Sequence, residues 1–178
     1  MNIRRRMLLS GSGALAVMAA LGQWRVKAAQ PGGDAAAAMS AAPRPAEHFA
    51  VAHSDAEWRK LLTPAQYDVL RNAGTERPFT SPLNDEHRAG LFACAGCATN
   101  LFDSKTKFDS GTGWPSFYAP IPHAVVEHQD LSFGMVRTEV RCAHCGGHLG
   151  HVFDDGPKPT GLRYCMNGVA MNFKPGTA

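Results

Sequence analysis

Neither a GxGxxG run nor a phosphate-loop pattern occurs in the 178 residues, and there is no heptad pattern and no internal repeat. Those absences remove the usual glycine-rich nucleotide cradles, coiled coils and solenoid arrays from consideration. Acidic residues are missing altogether from the first 28 positions, where Arg4, Arg5, Arg6, Arg25 and Lys27 all lie. Without those five, the formal charge of +3 becomes 13 basic residues against 15 acidic ones. The remainder therefore lacks the basic surplus by which bulk charge recruits a nucleic acid or an anionic membrane, and neither is expected as a partner. With 44% hydrophobic and 19% charged residues, the chain is neither disordered nor membrane-spanning throughout. Its length fits one or at most two globular domains with tails.

Residues 1–28 combine a basic start, an uncharged run from Met7 to Trp24 and the small-x-small site Val26-Lys27-Ala28. This is the layout of a cleavable signal peptide. The alternative is an uncleaved membrane anchor, for which 18 residues diluted by Ser10, Gly11, Ser12, Gly13, Gly22 and Gln23 are marginal. Arg5-Arg6 before Met7-Leu8-Leu9 resembles a twin-arginine export signal, although no Ser or Thr precedes it and no Lys follows. A periplasmic or exported protein with no stable membrane association after cleavage is expected. Positions 29–46, mostly Ala, Pro and Gly, read as a flexible linker, leaving 47–178 as the folded domain.

Within that domain, Ser54-x-x-Glu57 is a capping box and Thr63-Pro64 sets a capping hydroxyl before a first-turn proline, with Gly74 as the natural stop. Short helices are expected over 55–61 and 64–72. Beyond Pro82 the texture changes to short β-branched and aromatic runs, at 90–93, 124–127, 135–140 and 169–173, divided by Gly, Pro and Asp. These read as antiparallel strands of a mainly β domain.

Five cysteines stand out as two CxxC pairs, Cys94/Cys97 and Cys142/Cys145, and one single residue, Cys165. CxxC spacing lets one tight turn present two thiolates to one tetrahedral Zn²⁺. An exported chain meets oxidising conditions, so disulfides are the competing reading. A CxxC disulfide closes too small a loop to stabilise much, and two equal pairs favour one structural Zn²⁺; cross-pair disulfides stay open. Twin-arginine export of an already folded, metal-loaded chain would reconcile zinc with the compartment.

With four thiols assigned to metal, Cys165 has no partner, and neighbouring Arg163 would favour its thiolate. A buried inert cysteine is the bland reading. Nearby, His148-Leu149-Gly150-His151-Val152-Phe153-Asp154-Asp155 offers two histidines and two carboxylates, and in an extended strand His151 and Phe153 share a face. A nucleophilic thiol with proton delivery is one reading, and a histidine metal site another. Ser110-Gly111-Thr112-Gly113-Trp114-Pro115-Ser116-Phe117-Tyr118 places aromatics on a glycine-rich turn, either simple packing or a wall for an apolar ligand group.

These stretches, interleaved in this order with the CxxC pairs over Trp58 to Phe173, resemble the B-type methionine-R-sulfoxide reductases. GTGWPSF, HLGHVFDDGP, PTGLRYC and the following Asn167 carry the likeness. The resemblance implies two antiparallel sheets with short N-terminal helices, a Cys94/Cys97/Cys142/Cys145 zinc site, and Cys165 as nucleophile. It also implies Trp114 against the substrate S-methyl, Phe153 beside it, and a polar shell of His148, His151, Asp155, Arg163 and Asn167. The implied substrate is methionine R-sulfoxide, free or in oxidised proteins, reduced through a Cys165 sulfenic acid. Many relatives carry a resolving cysteine where Thr112 stands, so an external thiol, thioredoxin-like or other, is expected to regenerate a monomeric enzyme. A non-catalytic zinc-stabilised binding module and a cysteine hydrolase are the rival readings. The former predicts no loss on Cys165→Ser, and the latter lacks an evident oxyanion-hole motif.

Overall fold

Two capped helices, a three-stranded sheet and a six-stranded sheet make up the described part of the chain, residues 48–176 of a computed structural model. The expected leader (1–28) and linker (29–46) lie outside the described residues. Among the described residues no helix is long and apolar enough to cross a membrane.

Helix α1 (Asp55–Leu61) starts where the Ser54 hydroxyl accepts from Glu57 N and the Glu57 carboxylate accepts from Ser54 N. Helix α2 (Pro64–Asn72) starts at a second reciprocal box, Thr63 with Gln66, with proline in its first turn. These bonds satisfy amides that a short helix would otherwise leave without partners. The stop falls one residue before the expected one: Ala73 takes the left-handed conformation at φ 54°, and Gly74 donates to Asp68 O at 3.1 Å. Gly74 is needed for space instead, since a Cβ there would lie 2.3 Å from Asp68 Oδ2.

The strands are β1 (Gly90–Cys94), β2 (Asn100–Asp103), β3 (Lys107–Phe108), β4 (Ser116–Phe117), β5 (Val125–Asp130), β6 (Arg137–Cys142), β7 (His148–Phe153), β8 (Arg163–Met166) and β9 (Met171–Pro175). They form sheets ordered β2-β1-β9 and β3-β4-β8-β7-β6-β5, antiparallel at every pairing. The mainly β reading with two antiparallel sheets and two short front helices holds. Expected strands 135–140 and 169–173 begin two residues late, because single 3-10 turns occupy Ser132–Gly134 and Gly168–Ala170.

The sheets meet over an aromatic core. Phe92 and Phe102 from the small sheet pack on Phe117 from the large one, with ring centroids 4.9 and 4.3 Å apart. All three are fully buried, each contributing roughly 1.5–3 kcal/mol from burial. α2 supplies Tyr67, Val69 and Leu70 to the same core.

Candidate active site

Strand register assembles the site. Along one line across the large sheet, Ser116 pairs with Cys165, Cys165 with His151, His151 with Glu139, and Glu139 with His128. Directly opposed residues point to the same face, so four neighbouring strands deliver a hydroxyl, a thiol, an imidazole and a carboxylate to one surface. The next line brings Arg163 opposite Phe153. β8 can lie this close because β7 has glycine at its side: a Cβ on Gly150 would sit 2.1 Å from Cys165 O.

Cys165 lies in a cavity of about 140 Å³ lined by Thr75, Trp114, Arg137, Gly150, His151, Phe153 and Asn167. The expected common direction of His151 and Phe153 is thus present. Burial pushes the Cys165 thiol up, while Thr112, Arg163 and Ser116 pull it down without winning. The expected pull of Arg163 toward the thiolate is present but smaller than desolvation. Thr112 Oγ1 is 3.8 Å from Cys165 Sγ and 2.8 Å from Ser110 Oγ, which in turn bonds Ser116 Oγ at 2.7 Å.

His151 Nε2 is 2.8 Å from Asp130 Oδ2, and Arg137 donates to the same oxygen at 2.7 Å. Hydrogen bonds from Ser132 and His151 hold the Asp130 carboxyl well below the usual range. Burial lowers His151. A neutral imidazole facing a carboxylate must carry its proton on Nε2, which leaves Nδ1 as an acceptor. Neither Asp130 nor Arg137 is near His151 in sequence, and only strand pairing Asp130↔Arg137 could have revealed them.

His148 stands apart from the cavity. Its Nδ1 is 2.7 Å from Glu139 Oε1, and Arg141 bonds the other carboxylate oxygen at 2.7 Å. A bulge between β6 and β7 skips Leu149, so His148 and His151 come to one face with centroids 5.5 Å apart. Asp155 is exposed and grips Arg163 with two 2.8 Å bonds, and that guanidinium lies 4.4 Å over the Phe153 ring. Asn167 is nearly buried; it donates to Leu149 O at 3.0 Å and accepts from Glu76 N at 2.9 Å.

Glu76 is a further residue that patterning missed. Its carboxylate accepts from Gly168 N and Val169 N, and its carbonyl accepts from Trp114 Nε1 at 3.1 Å. Phe79 N donates to Gly113 O at 2.7 Å, so residues 76–79 clamp the tryptophan loop at two points. Gly113 has φ 92°, and a Cβ there would meet Pro78 at 2.8 Å. The glycine permits this close approach.

Cys94, Cys97, Cys142 and Cys145 offer sulfurs all within 4.8 Å of one another, the one such group among the described residues. None is in a disulfide. The cross-pair distances, 3.7 Å for Cys94–Cys145 and 3.5 Å for Cys97–Cys142, match the edge of about 3.8 Å of a tetrahedron built on metal–sulfur bonds of about 2.3 Å. Hydrogen bonding within the cluster, to Cys142 above all, pushes the Cys94 and Cys145 thiols up, while the same sharing holds Cys97 and Cys142 down. Four thiolates cannot coexist there unaided, and a divalent cation removes the conflict. α2 covers the cluster, with Leu70 beside Gly96 and Gly147 and Arg71 donating to Cys145 O at 3.1 Å.

An antiparallel two-sheet domain with a lone thiol in an aromatic-walled cavity, braced by a four-cysteine cluster, defines a class of thiol-dependent enzyme. A family model described as the SelR domain matches residues 62–175. Among curated relatives, "Peptide methionine sulfoxide reductase MsrB" of Agrobacterium fabrum is 63% identical over 123 residues, 68% of this chain and 91% of that protein. Proteins of the same name from Pseudomonas putida (63% over 120 residues, 67% and 90%) and Leifsonia xyli (60% over 129 residues, 71% and 93%) are comparably similar. The chain belongs to this SelR-domain family, the MsrB peptide methionine sulfoxide reductases.

Proposed function

We propose that the chain reduces the R epimer of methionine sulfoxide, free or in oxidised proteins, with Cys165 as nucleophile. The observation that carries this is the Cys165 thiol at an apolar cavity walled by Trp114 and Phe153, beside the His151 imidazole. The sulfur of Cys165 attacks the sulfoxide sulfur; the oxygen passes to Cys165 as a sulfenic acid and methionine leaves. His151 Nδ1 takes the thiol proton as attack begins and returns it to the sulfoxide oxygen. Trp114 and Phe153 hold the S-methyl and exclude water. Arg163, tied to Asp155, steadies the developing thiolate, while His148 and Asn167 keep β7 and the clamp in place.

A donor thiol attacks the sulfenic acid, releasing water and leaving a mixed disulfide that a second thiol resolves. This external route follows from Thr112, whose hydroxyl stands beside Cys165 where a cysteine would form an internal disulfide. A thioredoxin-like dithiol fits that role, and the enzyme acts as a monomer. Zn²⁺ suits four thiolates in tetrahedral array, has no redox chemistry of its own, and ties the two CxxC turns together. The folded enzyme, 47–178, reaches the periplasm behind the cleaved leader 1–28 and linker 29–46. Arg5→Lys with Arg6→Lys strands the precursor inside the cell; normal export of that variant contradicts the twin-arginine route.

Turnover of the separated R and S epimers with dithiothreitol tests the activity. The R epimer alone is consumed, and Cys165→Ser abolishes it. Consumption of neither epimer returns the chain to a binding role, and full activity of Cys165→Ser overturns Cys165 as the nucleophile.

A further inference from the structure

The chain has seven methionines, and Met135, Met166 and Met171 fall among the described residues. Met166 is fully buried and Met171 is 4% exposed, whereas Met135 is 47% exposed. Met135 sits on the link between β5 and β6, extended at φ −107° and ψ 152°, directly after the 3-10 turn Ser132–Gly134. Its neighbours Leu131, Phe133 and Val136 are exposed as well. A thioether is oxidised where a peroxide can reach its sulfur. The core therefore shields Met166 and Met171, and this link presents Met135.

Resting on the reductase reading above, we infer that Met135 is an oxidation site of this protein and that a second copy of the chain repairs it. Hydrogen peroxide passes one oxygen to the Met135 sulfur: the O–O bond breaks, an S–O bond forms, the sulfur loses two electrons and water leaves. In the second molecule the Cys165 sulfur attacks the sulfoxide sulfur, takes the oxygen as a sulfenic acid and returns Met135 to its thioether. Two donor thiols then reduce the sulfenic acid, ending as a disulfide and water. Strand register makes this repair intermolecular. Cys165 pairs with His151 and His151 with Glu139, so the nucleophile lies two strands across from β6, and Met135 lies four residues before Glu139. Spacings of about 4.8 Å per strand and about 3.3 Å per residue set the two positions about 16 Å apart, farther than a methionine side chain reaches. An exposed link can instead offer its side chain to the apolar, side-chain-sized cavity of another molecule, about 140 Å³ in volume. Only the R share of the Met135 sulfoxide is repaired in this way, because each epimer needs its own enzyme.

The test takes as substrate the metal-loaded Cys165→Ser protein, which has no nucleophile of its own, treated with hydrogen peroxide until N-acetylmethionine amide in the same tube is oxidised. Trypsin then releases 108–137, with Met135 as its one methionine, and 164–178, with Met166 and Met171. Fragment ions should place an added oxygen on Met135 and leave Met166 and Met171 as thioethers. A catalytic amount of wild-type protein with dithiothreitol should remove about half of the Met135 sulfoxide, the R share of a mixture of both epimers, from the folded protein as from the released 108–137 peptide. Met135 that survives the peroxide, or Met166 or Met171 oxidised equally fast, would overturn the inference. So would sulfoxide removed from the released peptide alone, or from neither form. Failure of the wild type to reduce N-acetylmethionine R-sulfoxide amide in a parallel tube would instead sink the reductase reading itself.

Discussion

Replacing Glu76 by alanine removes a side chain that touches no substrate yet should harm both stability and binding. Its carboxylate is the acceptor for Gly168 N and Val169 N. Hydrogen bonds to charged groups contribute about 1.5–3 kcal/mol each; because burial pushes the Glu76 carboxyl up, the lower end applies. Two bonds give a loss of about 3 kcal/mol, or roughly 10 °C in Tm for a domain of this size. The freed 76–79 segment also loosens its grip on Trp114 Nε1 and Gly113 O, so KM rises more than kcat falls. Since the folded carboxyl titrates above its ordinary 4.5, the native state binds that proton more tightly than the unfolded chain. Its stabilisation is complete below that ordinary value and declines as pH rises through the raised one. The Glu76→Ala deficit is thus larger in acid than at neutrality. Thermal unfolding at both pH values and steady-state kinetics measure these effects. A Tm within about 2 °C of wild type, well inside the shift expected from two lost bonds, would refute the clamp.

Further outcomes follow from the same geometry. Thr112→Cys, with its Oγ1 position 3.8 Å from Cys165 Sγ, forms an internal disulfide after one turnover, seen as loss of two free thiols; absence of that bond would place the loop out of reach. Because burial holds the Cys165 thiol above its ordinary 9.0, its alkylation by iodoacetamide keeps accelerating up to and past that pH. A plateau near neutrality would instead mean a preformed thiolate. Cys94→Ser or Cys145→Ser, or chelation of the metal that the cluster would hold, should remove binding energy on the order of 10 kcal/mol that is also folding energy. Cooperative unfolding should be lost, and metal analysis of the intact protein should return about one ion per chain; native stability without metal would contradict this.

Local chemistry made part of this molecule legible. Ser54/Glu57 and Thr63/Gln66 announce the two helices because a cap is an interaction between residues three apart. The CxxC spacing announces the metal turns for the same reason. Cys165, Trp114 and His151 each carry a functional reading beside a bland one, between which only the family likeness decides, and their meeting depends on the order β4-β8-β7-β6, which no local pattern encodes. β4 is two residues long, too short for any alternation to register. Asp130, Glu139 and Glu76 read as ordinary surface carboxylates; each acquires its role from a partner 21, 9 or 91 positions away. The bulge at Leu149 that turns His148 toward His151 is equally invisible, since a regular strand would place them on opposite faces.

The most direct test of Cys165 as the sole redox sulfur is a single turnover without reductant, followed by mass analysis of the protein and the product. Methionine R-sulfoxide should yield about one methionine per chain, an oxygen atom on Cys165 that a sulfenic-acid probe captures, and four cysteines still holding metal; the S epimer should yield nothing. Methionine release with a disulfide between Cys165 and any of Cys94, Cys97, Cys142 or Cys145 would contradict the account.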